Sequence, residues 1–467
     1  MPLHRKAFLL AAWLVALAAG SAAAQVPANA VARLDSLLST LATHDRVMGS
    51  VAIRQGDRLL YTRTVGFRDS TASGWVPSDS ATRYRVGSVT KPFTAVMVYQ
   101  LVDEGKLTLG TPLSRFFPRI PAADSITIGN LLGHTSGIGD FIAGMDPLRA
   151  LSRDSILARI AAAPRQFTPG TRRRYSNSNY MLLGYIIESL TGTSYAEQLE
   201  RRVARRAGLR RTGMGGVIQP GRNEARAYFY DEGHWALQPD HAIENAGGSG
   251  GAVSTAADLT RFLHVLFSGR LISPAGLHEM RNGFDDGTRK SGKGMSPFSI
   301  PGSGKTGYSH DGSIGAFSAL FGYVPEDSLS VALTINGHNY PPNRLFFHIW
   351  DILVGGHAPL PAFDPVALPD SLAAQLEGVY TAAAYGITIA VRRGGAGLQA
   401  QTEGQEPFAL QYVGARRFIN ARDGILIEFA APVEGRSPRF TLYQQLFQIP
   451  LERRAPAPAG APGPGTR

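Results

Sequence analysis

Apolar residues recur every three or four positions in VARLDSLLSTLATH, residues 31–44, and alternate with polar ones through GSVAIRQGDRLLYTRTVGFRD, residues 49–69. The first spacing predicts a helix, the second a β-hairpin turned at Gly56-Asp57. Two further helices stand out. SNYMLLGYIIESLTG, 178–192, has Ser178 as its expected cap and Gly192 as its stop, and STAADLTRFLHVLFSG runs from Ser254 to Gly269 in the same style. From Gly312 the period changes. AFSALFGYVPEDSLSVALTING reads as two strands around Pro325-Glu326-Asp327, and NRLFFHIWDILVG closes the region as a helix. Helices at both ends of late antiparallel strands predict a sheet covered by terminal helices, an α/β or α+β layer arrangement.

HAPLPAFDPVALPD, 357–370, is proline-rich and reads as a linker between a unit over 30–356 and a second over 371–454. The second holds short strand-like runs (GITIAV, GLQAQT, RFINA, GILIEFAA, RFTLYQQL) with almost no helix signal, the pattern of a small β domain or closed barrel. The tail APAPAGAPGPGTR, 455–467, has no apolar surface to bury and is expected to be disordered.

The N-terminus pairs Arg5 and Lys6 with an apolar run from Ala7 to Ala19 and small residues ending Ala22-Ala23-Ala24. This is the pattern of a cleavable signal over 1–24, and the run falls short of the roughly 20 apolar residues of a spanning helix. Export to the periplasm or medium is expected, with an uncleaved anchor as the alternative and no stable membrane span after cleavage. The chain has no cysteine, which excludes disulfides, thiolate metal sites and a cysteine nucleophile. Its net charge of +11 is mostly arginine in short clusters such as Arg172 to Arg174 and Arg201 to Arg206. Solvated faces account for these better than a nucleic-acid patch, so no nucleic-acid partner is expected, while anionic envelope polymers fit the same charge.

Candidate chemistry begins at Ser88-Val89-Thr90-Lys91, which follows the strand-like YRVG and precedes the helical PFTAVMVYQLVDEG. Residues three apart share a helix face, so this spacing brings an amine to a hydroxyl. The positive end of the helix dipole opposes protonation of Lys91, and Pro92 suits a first turn. Chance alone would place one Ser-x-x-Lys in a chain of about this length. Lysine is scarce here, however, and only Lys91 has a serine three residues before it. Tyr175-Ser176-Asn177 stands at a loop-to-helix junction. There a phenol with its pKa lowered by cations would relay protons and an amide would hold a carbonyl; the plainer reading is a cap and a packing aromatic.

Taken together, GSVTK with PFTAV, LLGHTSGI at 131–138, PGTRRRYSNSNYMLLGYIIESLTG and GGAVSTAADLTRF resemble, in order, the penicillin-recognising serine hydrolases of the class C β-lactamase and D-aminopeptidase/esterase type, from about Ser50 to Gly355. The resemblance implies an antiparallel sheet flanked by helices plus an all-helical subdomain, followed here by an all-β domain similar to the lipocalin-like extensions of some relatives. It implies a third motif, Lys or His then x-Gly, followed by a phenylalanine and a proline turn at set spacing. Counted from His310, Phe317 and Pro325 fall where that pattern requires; counted from Lys305 both are five residues too far. His310-Asp311-Gly312 is therefore the expected motif and Lys305-Thr306-Gly307 a loop or strand start.

What the resemblance further implies is acyl transfer on Ser88, with Lys91 and Tyr175 shuttling the proton. Ser88 and Ser313 N–H groups, the latter just after Gly312, would form the oxyanion hole; Asn177 and His310 would bind substrate. The class C enzymes carry lysine where this chain has His310, a mostly neutral group at pH 7, so carboxylate-bearing lactams fit less well. A D-amino-acid peptidase or esterase is thus expected ahead of a true β-lactamase. A catalytically silent peptidoglycan-binding protein is the rival from another class. The expected partner is a small-molecule or peptide substrate, cell-wall stem peptides included, with no cofactor or metal. Arg344 is a weaker candidate for carboxylate recognition. Gly247-Gly248-Ser249-Gly250-Gly251 mimics a nucleophile elbow but reads as a flexible turn.

Overall fold

The computed structural model describes residues 26–454 other than 287–289, 301, 396, 421–423 and 445–446, so the expected signal over 1–24 and tail over 455–467 lie outside the described residues. Helix α1, Ala30–Thr43, buries Leu34, Leu37, Leu38 and Leu41, a one-sided stripe in which each leucine is worth roughly 1.5–3 kcal/mol. Strands β1, Val47–Gln55, and β2, Arg58–Val65, form the expected hairpin. At its turn Gly56 takes φ 54°, a left-handed conformation that glycine adopts without strain.

The chain then builds a helical region before returning to the sheet. It contains α2, Thr90–Asp103, and α3, Asn177–Thr191. A hairpin of β3, Tyr228–Asp231, and β4, His234–Leu237, is followed by the one-turn α4, Gly247–Gly250, and by α5, Ala256–Phe267. Strands β5, Ser296–Ser299, β6, Thr306–Ile314, β7, Phe317–Val324, and β8, Leu329–His338, complete the sheet, and α6, Pro342–Leu353, follows. Among the described residues the sheet has eight strands in the order β5-β6-β7-β8-β1-β2, with β3 and β4 attached through β8.

Side chains alternate across a strand, and here both faces are dry. Ala52, Ala319, Phe321 and Ala332 join one core with α2 and α5; Val51, Ile53, Leu320, Val331 and Leu333 join another with α1 and α6. Two caps differ from expectation. Helix α3 starts at Asn177 with Ser176 at its N-cap, because Ser178 is turned inward to donate to Gly139 O and accept from Phe141 N. Helix α5 is capped by Thr255, whose side chain accepts from Asp258 N, while Ser254 ends a short strand.

The proline-rich stretch forms no helix or strand before α7, Asp370–Leu376, a helix the sequence pattern does not signal. It is nevertheless anchored, with Phe363 buried against His44 and Tyr340. Beyond α7, eight antiparallel strands between Gly378 and Arg453 close into a barrel. Its interior is filled by Tyr380, Leu398, Phe418, Phe429, Phe440 and Leu451, among others. On its outside Val413, Ile419, Leu426 and Tyr443 pack into the α1/α6 core, and Arg344 pairs with Glu428 at 2.7 Å. That pairing places Arg344 at the barrel contact, removing it as a carboxylate anchor. Among the described residues no helix is long and apolar enough to cross a membrane.

Candidate active site

Gly87 has φ 50° and opens a 3₁₀ turn, Gly87–Val89, that runs directly into α2. Thr90 ties the turn down: its hydroxyl donates to Gly87 O at 2.7 Å and accepts from Ala252 N at 3.0 Å. With three residues per turn, Ser88 and Lys91 stack one above the other. The amine lies 2.9 Å from Ser88 Oγ.

Helix α2 is buried on every side from Thr90 to Leu101, so Lys91 is 0% exposed. Its Nζ also contacts Asn177 Oδ1 at 2.8 Å and Ser249 O at 2.7 Å. None of these acceptors is anionic. Burial therefore pulls the Lys91 pKa down to about 7 from 10.5, although Asp140 and Asp311 act in the opposite sense. As an ammonium it donates to all three groups. As a neutral amine it donates to Asn177 and Ser249 and turns its lone pair to the Ser88 hydroxyl.

Tyr175 O–H donates to Ser88 Oγ at 2.7 Å. The expectation of a cation-lowered phenol is overturned: burial raises the Tyr175 pKa, and Asp311 and Asp140 add to the rise, against lowering by the Ser88 hydrogen bond and Arg173. Tyr175 is a protonated donor in this arrangement. Its ring stacks on His134 at 4.4 Å between centroids and lies 4.7 Å from Lys91 Nζ. His134 Nδ1 accepts from Ser176 N at 3.2 Å, so LLGHTSGI frames the tyrosine. Burial lowers the His134 pKa well below its ordinary value and keeps the ring neutral. Asn177 is held at both ends. Asp140 Oδ2 accepts from its Nδ2 at 2.9 Å and from its backbone N at 3.1 Å, while its Oδ1 takes the Lys91 contact.

Strand β6 closes the opposite side. A Cβ on Gly312 would collide with Ser88 N, Val86 O and Val89 N, and one on Gly87 with the backbone of Ser313, so the two chains meet at van der Waals distance only because both residues are glycine. His310 donates Nδ1–H to Asp311 O at 2.6 Å. Burial lowers its pKa to about 4; Asp311 acts in the opposite sense, and the charges of Lys91 and Arg173 lower it further. Lys305 lies at the far end, paired with Asp327 at 2.6 Å. Of the two triplets, His310-Asp311-Gly312 adjoins the Ser88 turn.

Ser249 is no elbow. It sits in α4, 3% exposed, donating its hydroxyl to Ala246 O at 2.6 Å, and contributes its carbonyl to Lys91. The expected flexible turn is a packed helical turn, because Gly248 and Gly184 allow α4 and α3 to touch backbone to backbone. Sequence reasoning missed Ser249 O, Asp140, His134 and Arg173. His134 lies within LLGHTSGI and Arg173 within PGTRRRYSNSNYMLLGYIIESLTG, stretches that carry the family resemblance; a carbonyl or a lone aspartate carries no sequence signal.

The beta-lactamase family model matches residues 34–348. Esterase EstB of Burkholderia gladioli is 36% identical over 209 residues, 40% of this chain and 52% of that protein. The chain spans about half to two thirds of the length of the first curated relatives it matches. Among solved structures, the D-amino acid amidase of Ochrobactrum anthropi SV3 superposes with a TM-score of 0.60 at 25% identity, over 66% of this chain and 92% of that one. The octameric penicillin-binding protein homologue of Pyrococcus abyssi, 22% identical, shares the fold over 90% of this chain and 100% of its own, with a TM-score of 0.63.

Proposed function

Because the chain belongs to the beta-lactamase family, we propose that it is an exported serine hydrolase that cleaves amide or ester bonds through an acyl-enzyme on Ser88. One observation carries this reading: the amine of Lys91, fully buried with a pKa near 7, lies 2.9 Å from the Ser88 hydroxyl. A base poised near the working pH is the efficient one.

Ser88 Oγ attacks the substrate carbonyl carbon as its proton passes to Lys91 Nζ. The carbonyl π electrons move to oxygen, where Ser88 N–H and Ser313 N–H receive the charge. When the intermediate collapses, the C–N or C–O bond breaks and the leaving group takes a proton from Tyr175; the proton held by Lys91 then returns to the phenolate, leaving the amine neutral for the second step. Water then repeats the sequence on the ester, releasing the acid and restoring Ser88. Asn177 holds Lys91 and keeps an N–H for the substrate amide. The neutral His310 offers no cation to a substrate carboxylate, which supports peptidase or esterase action ahead of lactam hydrolysis. The esterase and the D-amino acid amidase among the similar proteins point the same way.

Mass spectrometry after exposure to a fluorophosphonate and to a penicillin tests the reading, with Ser88→Ala as control. Labelling of Ser88 by the fluorophosphonate alone is expected. Labelling at another serine, or none with a folded protein, would overturn it.

A further inference from the structure

Strand β6 pairs with β5 only as far as Ser309, so residues 310–314 run beside the Ser88 turn with β7 on one side alone. Alternate residues of a strand share a face. Gly312 faces the turn, whereas Asp311 and Ser313 are exposed together. Two residues along a strand span roughly 6.6 Å, so Asp311 shares an exposed strand face with Ser313, whose N–H would hold the reacting carbonyl. Its carboxylate enters no ion pair or hydrogen bond among the described residues. Its charge is nonetheless felt at Lys91, Tyr175 and His310. Arg173 acts on Tyr175 and His310 as the opposing cation, but the charges acting on Lys91 are Asp140 and Asp311. Asp140 is committed to Asn177; Asp311 has no such engagement.

We propose that Asp311 determines specificity in the reaction described above, selecting acyl groups that carry a free ammonium next to the reacting carbonyl and repelling those that carry a carboxylate within two carbons of it. The proposal rests on the Ser88 reading. An ammonium one carbon from the carbonyl lies within reach of the carboxylate, in a cleft where His310 contributes no positive charge. A substrate carboxylate would instead meet an uncompensated like charge.

The test compares alanyl and isobutyryl esters of one alcohol, which differ by an ammonium in place of a methyl, together with the succinyl half-ester. The native enzyme is expected to favour alanyl over succinyl esters by at least about tenfold in kcat/KM, with the preference shrinking as salt screens the charge. Asp311→Asn should lower the alanyl-to-isobutyryl ratio about tenfold, a comparison in which the intrinsic reactivity of the two esters cancels. Asp311→Glu should restore it. A native preference for the succinyl ester, or a ratio unchanged in Asp311→Asn, would overturn the proposal while leaving Ser88 acylation intact. Should Asp311→Asn fail to fold, Asp311→Ser supplies the uncharged variant for the same ratio. Failure of every ester to acylate Ser88 would instead sink the underlying reading.

Discussion

Strand β6 carries a Lys-Thr-Gly at one end and a His-Asp-Gly at the other, and the two ends put similar residues to different use. Lys305 meets the carboxylate of Asp327 in an ion pair. Lys91, which faces the other end from α2, is buried among a hydroxyl, an amide oxygen and a backbone carbonyl, and its pKa falls to about 7. Desolvation without a counter-ion makes a base; desolvation with one makes a strut. The glycines differ likewise. Gly307 leaves room for the ring of Phe298, a side chain, while Gly312 leaves room for the backbone of the Ser88 turn.

The sharpest test of that contrast exchanges the two lysines for methionine in turn. Lys91→Met is expected to lower kcat by about 10³-fold and abolish labelling of Ser88. Lys305→Met should keep kcat within about twofold but lose roughly 1–3 kcal/mol of stability in denaturant unfolding, as the charged hydrogen bonds between Lys305 and Asp327 are removed. Equal losses of kcat in two folded variants would erase the distinction.

A smaller effect is expected from the glycines. Gly312→Ala must displace the Ser88 turn, and a loss of about 10²-fold in kcat is expected as the proposed oxyanion site moves. In Gly307→Ala, Phe298 gives way, at a cost in thermal stability and little in rate. A rate loss confined to Gly307→Ala would break the assignment of the two ends.

The mildest probe is pH. Lys91 acts as a base only when neutral, so kcat/KM should fall about tenfold per unit as pH drops below about 7. The same shift has a stability consequence. The folded Lys91 pKa lies below the 10.5 of an exposed lysine, so the unfolded chain binds more protons between about 7 and 10.5, and stability rises with pH across that window. Lys91→Met should lack this rise in chemical denaturation. A native curve no steeper than the variant's would show that Lys91 titrates normally.

Much of this was legible in the chain. The leucines of α1 and the apolar runs of β7 and β8 fall at the periods their elements require, and Ser88, Lys91, Tyr175 and Asn177 are three or fewer residues from a helix start, where local spacing governs geometry. The count from His310 to Phe317 and Pro325 picked the triplet that lies beside Ser88. Other features were hidden. Ser178 suits a cap by type, but Gly139 and Phe141 claim its hydroxyl. The phenol of Tyr175 was expected to be acidified by nearby cations, whereas burial and two aspartates outweigh the lowering by the Ser88 hydrogen bond and Arg173.

Taken alone, the amino-acid order determined the elements, the likeness to a family and the pairing of the Ser88 hydroxyl with the Lys91 amine, because each depends on neighbours within a turn or two of helix or strand. Only the folded chain decided that Lys91 is ringed by uncharged acceptors from its own turn and two distant segments, that Arg344 belongs to the barrel contact, and that Asp311 is exposed on the strand that abuts the Ser88 turn. Those outcomes depend on desolvation and on charges brought together across hundreds of residues, quantities that exist only once the core has closed.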